Sequence, residues 1–90
     1  MLSIFYSSQF KRDYTAVKKR GYDIKLMNDV IKLLVTGEPL PAKYKEHALK
    51  GKYSGQKECH ITPDWLLIYK IDNNYLVLTM TRTGTHSDLF

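Results

Sequence analysis

Ninety residues give one small domain and leave no room for a second core. Fourteen Lys and Arg against nine Asp and Glu set a net charge of +5, and 43% of the chain is hydrophobic. That is too apolar for a disordered chain and too charged for a membrane-embedded one, and the single cysteine, Cys59, excludes an internal disulfide and a multi-cysteine zinc site.

Leu2, Ile4 and Tyr6 alternate with Ser3, Phe5 and Ser7, which predicts a short first strand. Ser7 or Ser8 can cap a helix, since a serine oxygen accepts from a free N–H of the first turn. Phe10, Tyr14 and Val17 then share one helical face, with Lys11, Arg12, Lys18 and Lys19 largely off it. Gly21 suits the left-handed residue that ends this helix. Asp23 caps a second helix whose stripe is Ile24, Met27, Ile31 and Leu34, widened by Val30 and Leu33 and closed by Gly37. The short turn between them predicts an antiparallel helix hairpin.

Glu38-Pro39-Leu40-Pro41 is an extended connector, because each proline disfavours helix in the residue before it. The pattern then shifts to strands, with room for a short piece around Glu46 to Leu49. Gly51 and Gly55 bracket a basic turn with Lys50, Lys52 and Lys57 nearby. Glu58, His60 and Thr62 alternate with Cys59 and Ile61 as a strand, and Pro63-Asp64 turns the chain. Trp65 to Ile71 reads as a central strand; its apolar run, Trp65 to Tyr69, is far short of the roughly twenty residues that cross a bilayer. Asp72-Asn73-Asn74 supplies a hairpin turn, with Asn as the residue that tolerates positive φ, and Tyr75 to Arg82 is the partner strand. The expected fold is a single α+β domain over residues 1–90, ordered β-α-α-β-β-β, with a mainly antiparallel sheet and the helix hairpin on one face. No signal-peptide pattern opens the chain, so a cytoplasmic protein with no membrane partner is expected.

All three histidines, His47, His60 and His86, lie in the second half in non-helical context, with Asp64 close to His60. Histidine is the side chain best poised for proton transfer near neutral pH. Three His and an Asp could also ligate zinc, but no His-x-x-x-His or Cys-x-x-Cys spacing is present, so a metal-free, cofactor-free acid–base site is expected. Trp65 opens a core strand, where packing accounts for it as readily as base stacking does. Phe90 either folds back on the sheet or offers a stacking face. Arg82 is a solvated edge charge or a phosphate clamp. Cys59 points away from His60 and reads as a small core residue.

Three blocks then carry a resemblance: Pro41-Ala42-Lys43-Tyr44-Lys45-Glu46-His47-Ala48-Leu49-Lys50-Gly51, Glu58-Cys59-His60-Ile61-Thr62-Pro63-Asp64-Trp65-Leu66-Leu67-Ile68-Tyr69-Lys70, and Arg82-Thr83-Gly84-Thr85-His86-Ser87-Asp88-Leu89-Phe90. Together with the strand–helix–helix start they resemble the YafQ-like branch of the RelE/ParE superfamily of bacterial toxins. The resemblance implies a ribosome-dependent mRNA endonuclease of a type II toxin–antitoxin pair that cuts in the ribosomal A site, against 16S rRNA, by 2′-OH attack without a metal. It places the active residues on His47, His60, Asp64, Trp65, His86 and Phe90, with Arg82 near the scissile phosphate and lysines such as Lys50 adding positive charge. His86 is favoured as general acid; Asp64, His47 and His60 remain open as the base, and Asp64 could instead hold a histidine in its tautomer. A small acidic antitoxin is the implied partner, through which the complex could reach its operator DNA. Two rivals keep the fold: a ParE-like gyrase inhibitor, which lacks this histidine set, and a non-catalytic ribosome- or RNA-binding module.

Overall fold

The computed structural model describes residues 1–90. Its strands are β1 (Ser3–Tyr6), β2 (His47–Ala48), β3 (Lys57–Thr62), β4 (Trp65–Asp72) and β5 (Val77–Gly84). Its helices are α1 (Ser8–Lys19), α2 (Ile24–Val35) and a short α3 (His86–Leu89). The sheet order is β1-β5-β4-β3-β2. All neighbours are antiparallel except β1 and β5, which run parallel at one edge.

Local chemistry sets the helix ends. The Ser7 hydroxyl accepts from the Phe10 N–H and donates to the Thr81 carbonyl at 2.8 Å, so the α1 cap is also a tie to β5. Asp23 caps α2 by accepting from the Lys25 N–H. Phe10 and Val17 of α1 and Met27, Val30, Ile31 and Leu34 of α2 are buried against Cys59, Ile61, Trp65, Leu67, Tyr69, Leu78 and Met80 of the sheet. Burial of a side chain of this size contributes about 1.5–3 kcal/mol, so this layer carries most of the stabilisation.

The other face of β4 is also covered. Leu66 and Ile68 are buried under Tyr53, from a 3-10 turn at Gly51–Tyr53, and Leu89 of α3. This explains the unbroken apolar run of β4: both its faces are dry, so polar alternation is absent.

Expectations for the tail, the start of β5 and the residue of positive φ in its turn are revised. The polar tail is not irregular: Thr85 and Asp88 form a capping box that nucleates α3. Strand β5 starts at Val77, because Asp72 accepts from the Asn74 and Tyr75 N–H groups and keeps Tyr75 and Leu76 in the turn. The left-handed residue there is Leu76, at φ 55°, and not an asparagine. Finally, a bulge in the β4–β5 register skips Thr81, so that Met80 pairs with Tyr69 but Arg82 pairs with Ile68. Simple alternation from Leu78 and Met80 would turn Arg82 toward the helices; the extra residue aligns it with Ile68 instead.

Candidate active site

The register lines up the site. His47 pairs with Glu58, Glu58 with Ile68, and Ile68 with Arg82, so these four form one row across β2, β3, β4 and β5. At the spacing of adjacent strands, about 4.8 Å, the row spans roughly 14 Å. The next row joins His60, Leu66 and Gly84, and leads by way of Thr85 to His86 at the start of α3. This face lies opposite the helix hairpin.

At the β2–β3 end, Glu58 sits between two histidines. Its Oε1 is 3.3 Å from His47 Nε2 and 3.8 Å from His60 Nε2. The other ring nitrogens face backbone carbonyls: His47 Nδ1 is 3.0 Å from the Lys45 oxygen, and His60 Nδ1 is 3.3 Å from the Pro63 oxygen. A carbonyl can only accept, so each Nδ1 carries the proton and each Nε2 is left facing the carboxylate. The Glu58 carboxylate is buried and its Oε2 has no partner. A buried polar atom left unpaired is costly, so Oε2 is an unsatisfied acceptor at this end of the row.

At the β5 end, Arg82 is held as a fixed fork. Its Nε and Nη2 donate to Asp13 of α1 at 2.8 and 3.1 Å, and Nη1 reaches the Tyr53 hydroxyl at 3.4 Å. Asp13 also accepts from the Thr83 N–H and from Gln9 Nε2, four donors on one buried carboxylate. The hydrogen bonds to Asp13 and Tyr53 raise the Arg82 pKa above its usual value, so its charge is permanent. β1 pairs with β5 only as far as Met80, which leaves the edge beyond it open for Asp13 to reach in.

The third corner is α3. Asp88 is bound by Arg20 at 2.6 Å, and that hydrogen bond, with help from Thr85, holds its carboxyl well below the usual range. Phe90 is 59% exposed and packs edge-on against Tyr53, while the His86 ring lies 5.0 Å from the Phe90 ring. Lys52 stands over the outer side of Tyr53, 5.4 Å from its ring centre, and Lys50 is exposed just before it.

Two sequence expectations are corrected. Trp65 is buried on the helix side, edge-on to Tyr22, with its indole N–H donated to Thr83 Oγ1. It is a core residue and offers no face to a base. Asp64 is exposed in the β3–β4 turn and bonds to no histidine; Glu58 and the Pro63 carbonyl hold His60 instead. Glu58, Asp13 and Tyr53 enter the site without having been singled out. Only Glu58 had a sequence signal, the alternation that puts it on the His60 face. Cys59 points away, and burial, reinforced by Glu46 and Glu58, pushes its thiol up to about 12. A cavity of about 440 Å³ between β1, α1 and α2 contains none of these residues.

A mixed sheet with a helix hairpin on one face and a basic, histidine-bearing row on the other is a RelE-like toxin architecture, as the sequence blocks implied. The chain belongs to the YafQ family, described as a bacterial toxin of type II toxin–antitoxin systems, which it matches over residues 2–90. It is 41% identical over 88 residues to the mRNA interferase toxin YafQ of Escherichia coli K12, covering 97% of this chain and 94% of that one. Its fold superposes on a metal-bound toxin from Helicobacter pylori with a TM-score of 0.93 at 43% identity, covering all of both chains. It also superposes on YafQ in the E. coli DinJ–YafQ complex, with a TM-score of 0.91 at 40% identity over 100% of this chain and 99% of that one.

Proposed function

We propose that this protein is an endoribonuclease that cuts mRNA in the ribosomal A site and is neutralised by a cognate antitoxin. The observation that supports this most directly is the cross-sheet row: a Glu58-bridged histidine pair at one end and a permanently charged arginine at the other. The named activity of the E. coli relative and its solved complex with DinJ point the same way.

The chemistry follows from the groups present. A base draws the proton from a ribose 2′-OH, the oxygen attacks the adjacent phosphorus, and the P–O5′ bond breaks. The leaving oxygen takes a proton from the acid, giving a 2′,3′-cyclic phosphate and a 5′-hydroxyl. The Glu58–His60–His47 trio supplies the base: the Nε2 atoms, which face Glu58, are the proton-accepting positions, and the carboxylate stabilises the imidazolium that forms. His86, on the far side of the face, supplies the acid. Arg82 neutralises charge on the non-bridging oxygens, fixed in advance by Asp13 so that little reorganisation is required at the moment of reaction. Phe90, exposed beside His86, is the stacking face. No ion enters these steps: a metal on the trio would occupy the nitrogens that move the proton.

The test is a translating ribosome with mapped mRNA 5′ ends. Cuts within A-site codons, leaving a cyclic phosphate, are expected, and they persist with a chelator that spares magnesium. An mRNA with a 2′-deoxy sugar at the cut site should be bound and left intact. Gyrase inhibition without cuts, or ribosome binding without cuts, would reject the proposal.

A further inference from the structure

A second cleft lies on the outer edge of β3; it shares His60 with the trio and is otherwise lined by residues outside the machinery just described. Strand β2 covers only Lys57 and Glu58, so the edge from His60 to Thr62 has no strand beyond it. The floor of the cleft is His60 and Thr62; its rim is Lys43 and Lys45 on one side and Leu26 and Asp29 of α2 on the other. It encloses about 310 Å³, at the lower end of the range of small-molecule sites and suited to a flat ring with a charged appendage.

Three features fit it to a nucleotide. Two ammonium groups stand at the rim, and Lys43 is steadied 5.1 Å over the ring of Tyr44. Thr62 and Asp29 bring a hydroxyl and a carboxylate into one space, a mixed donor and acceptor set that reads base edges. Lys45 and Pro63 both line the cleft, and theirs are the carbonyls that fix His47 and His60. A ligand pressing on those walls therefore acts on the orientation of both histidines.

We infer that this cleft seats the base of an mRNA nucleotide next to the cut and is a specificity-determining subsite, with the nucleotide's phosphate on Lys43 and Lys45. The inference rests on the ribonuclease reading. A matched base, by pressing on the Lys45 and Pro63 walls, brings the two histidines into register with the 2′-OH, so recognition is expressed in the chemical step as well as in binding.

The experiment uses the full chain on ribosomes programmed with a panel of A-site codons that differ at one position at a time. Wild-type cleavage of at least one codon is the control; its absence would overturn the ribonuclease reading, and this inference with it, whereas cleavage with unaltered discrimination in the variants overturns this inference alone. Leu26→Trp fills the cleft from the helix side, at a residue 41% exposed that is not itself a proton-transfer group. Thr62→Val removes one hydroxyl. Each should cut the discrimination between the preferred codon and its single-base neighbours by about tenfold or more, the size of one lost polar reading contact. Rates on poor codons should stay within a factor of two or three of wild type. Unchanged discrimination in both variants overturns the inference, as does an equal loss on every codon. Should Leu26→Trp fail to give a folded circular-dichroism spectrum, Thr62→Val with Asp29→Asn decides the matter by the same ratio.

Discussion

On the proposed mechanism His86 is a side chain that matters to chemistry and hardly at all to folding. It is exposed at the first position of α3, and its ring contact is with Phe90, itself mostly exposed. Replacing it by Gln should leave stability within about 0.5 kcal/mol of wild type. Cleavage should fall by a factor on the order of 10²–10⁴, the usual weight of a positioned general acid. Single-turnover rates and a melting curve on the same preparation check both halves; a variant cutting at wild-type speed would take His86 out of the mechanism. Cys59 is the opposite case, fully buried with its thiol raised to about 12. A thiol reagent at pH 8 should leave the native protein unmodified and label it only in denaturant; rapid labelling of the native form would contradict the burial. The histidines were legible in the sequence because residue type alone announces proton chemistry. The misreadings came where type is ambiguous. Trp65 can stack or pack, and only its place behind the sheet decides; Asp64 sits next to His60 in the chain but is turned out at the hairpin.

Elements carry the next layer, above all the link from α1 to β5. Asp13 holds no contact with the trio, yet it receives two bonds from Arg82 and one from the Thr83 N–H. It acts as a positioning residue for the phosphate-facing arginine. Asp13→Asn should slow cleavage by roughly ten- to a hundredfold with KM little changed. In an Arg82→Ala background the same substitution should have no further effect, because groups acting through one another are not additive. Equal losses in both backgrounds would make Asp13 purely structural. Nothing in the sequence marks this link. It depends on the skipped Thr81, which re-aims Arg82, and on β1 stopping at Met80, and both are features of pairing and not of local pattern. The helix hairpin and the antiparallel β3–β4–β5 ladder were legible because caps, glycines and periodicity state them locally. The α1–α3 link behaves differently with pH. Arg20 lowers the Asp88 carboxyl below its ordinary value of 3.8. A lowered pKa adds stability that is complete above 3.8 and fades as pH falls below it. Because the pair is solvent-exposed, the effect is small and screened by salt. In Asp88→Asn the wild-type advantage in melting temperature should shrink steadily below about pH 4 and be constant from pH 5 to 8. A constant difference across the whole range would contradict a lowered Asp88 carboxyl, to which both Arg20 and the Thr85 N–H contribute.

At the scale of the whole molecule, the net charge of +5 and a sequence pI near 9.4 describe a body that meets polyanions quickly. The lysines at positions 43, 45, 50 and 52 lie along the loops beside the histidine row, on the path proposed for mRNA. On the proposed reading the same charge would also attract an acidic antitoxin, and there steering and docking can be separated. Long-range attraction acts on the encounter and is screened over about 10 Å at 0.1 M salt, whereas packed contacts govern departure. Raising the ionic strength from about 0.05 to 0.5 M should therefore slow toxin–antitoxin association by roughly tenfold or more while changing dissociation only a few-fold. Neutralising the loop charges in a Lys50→Gln, Lys52→Gln variant should flatten that salt dependence without abolishing the complex. His86→Gln should follow the wild-type curve, since it removes no permanent charge. Stopped-flow association and surface-based dissociation measurements on the purified pair give the two rates separately. An association rate indifferent to salt would place the antitoxin on an uncharged part of the surface, with the basic loops reserved for RNA.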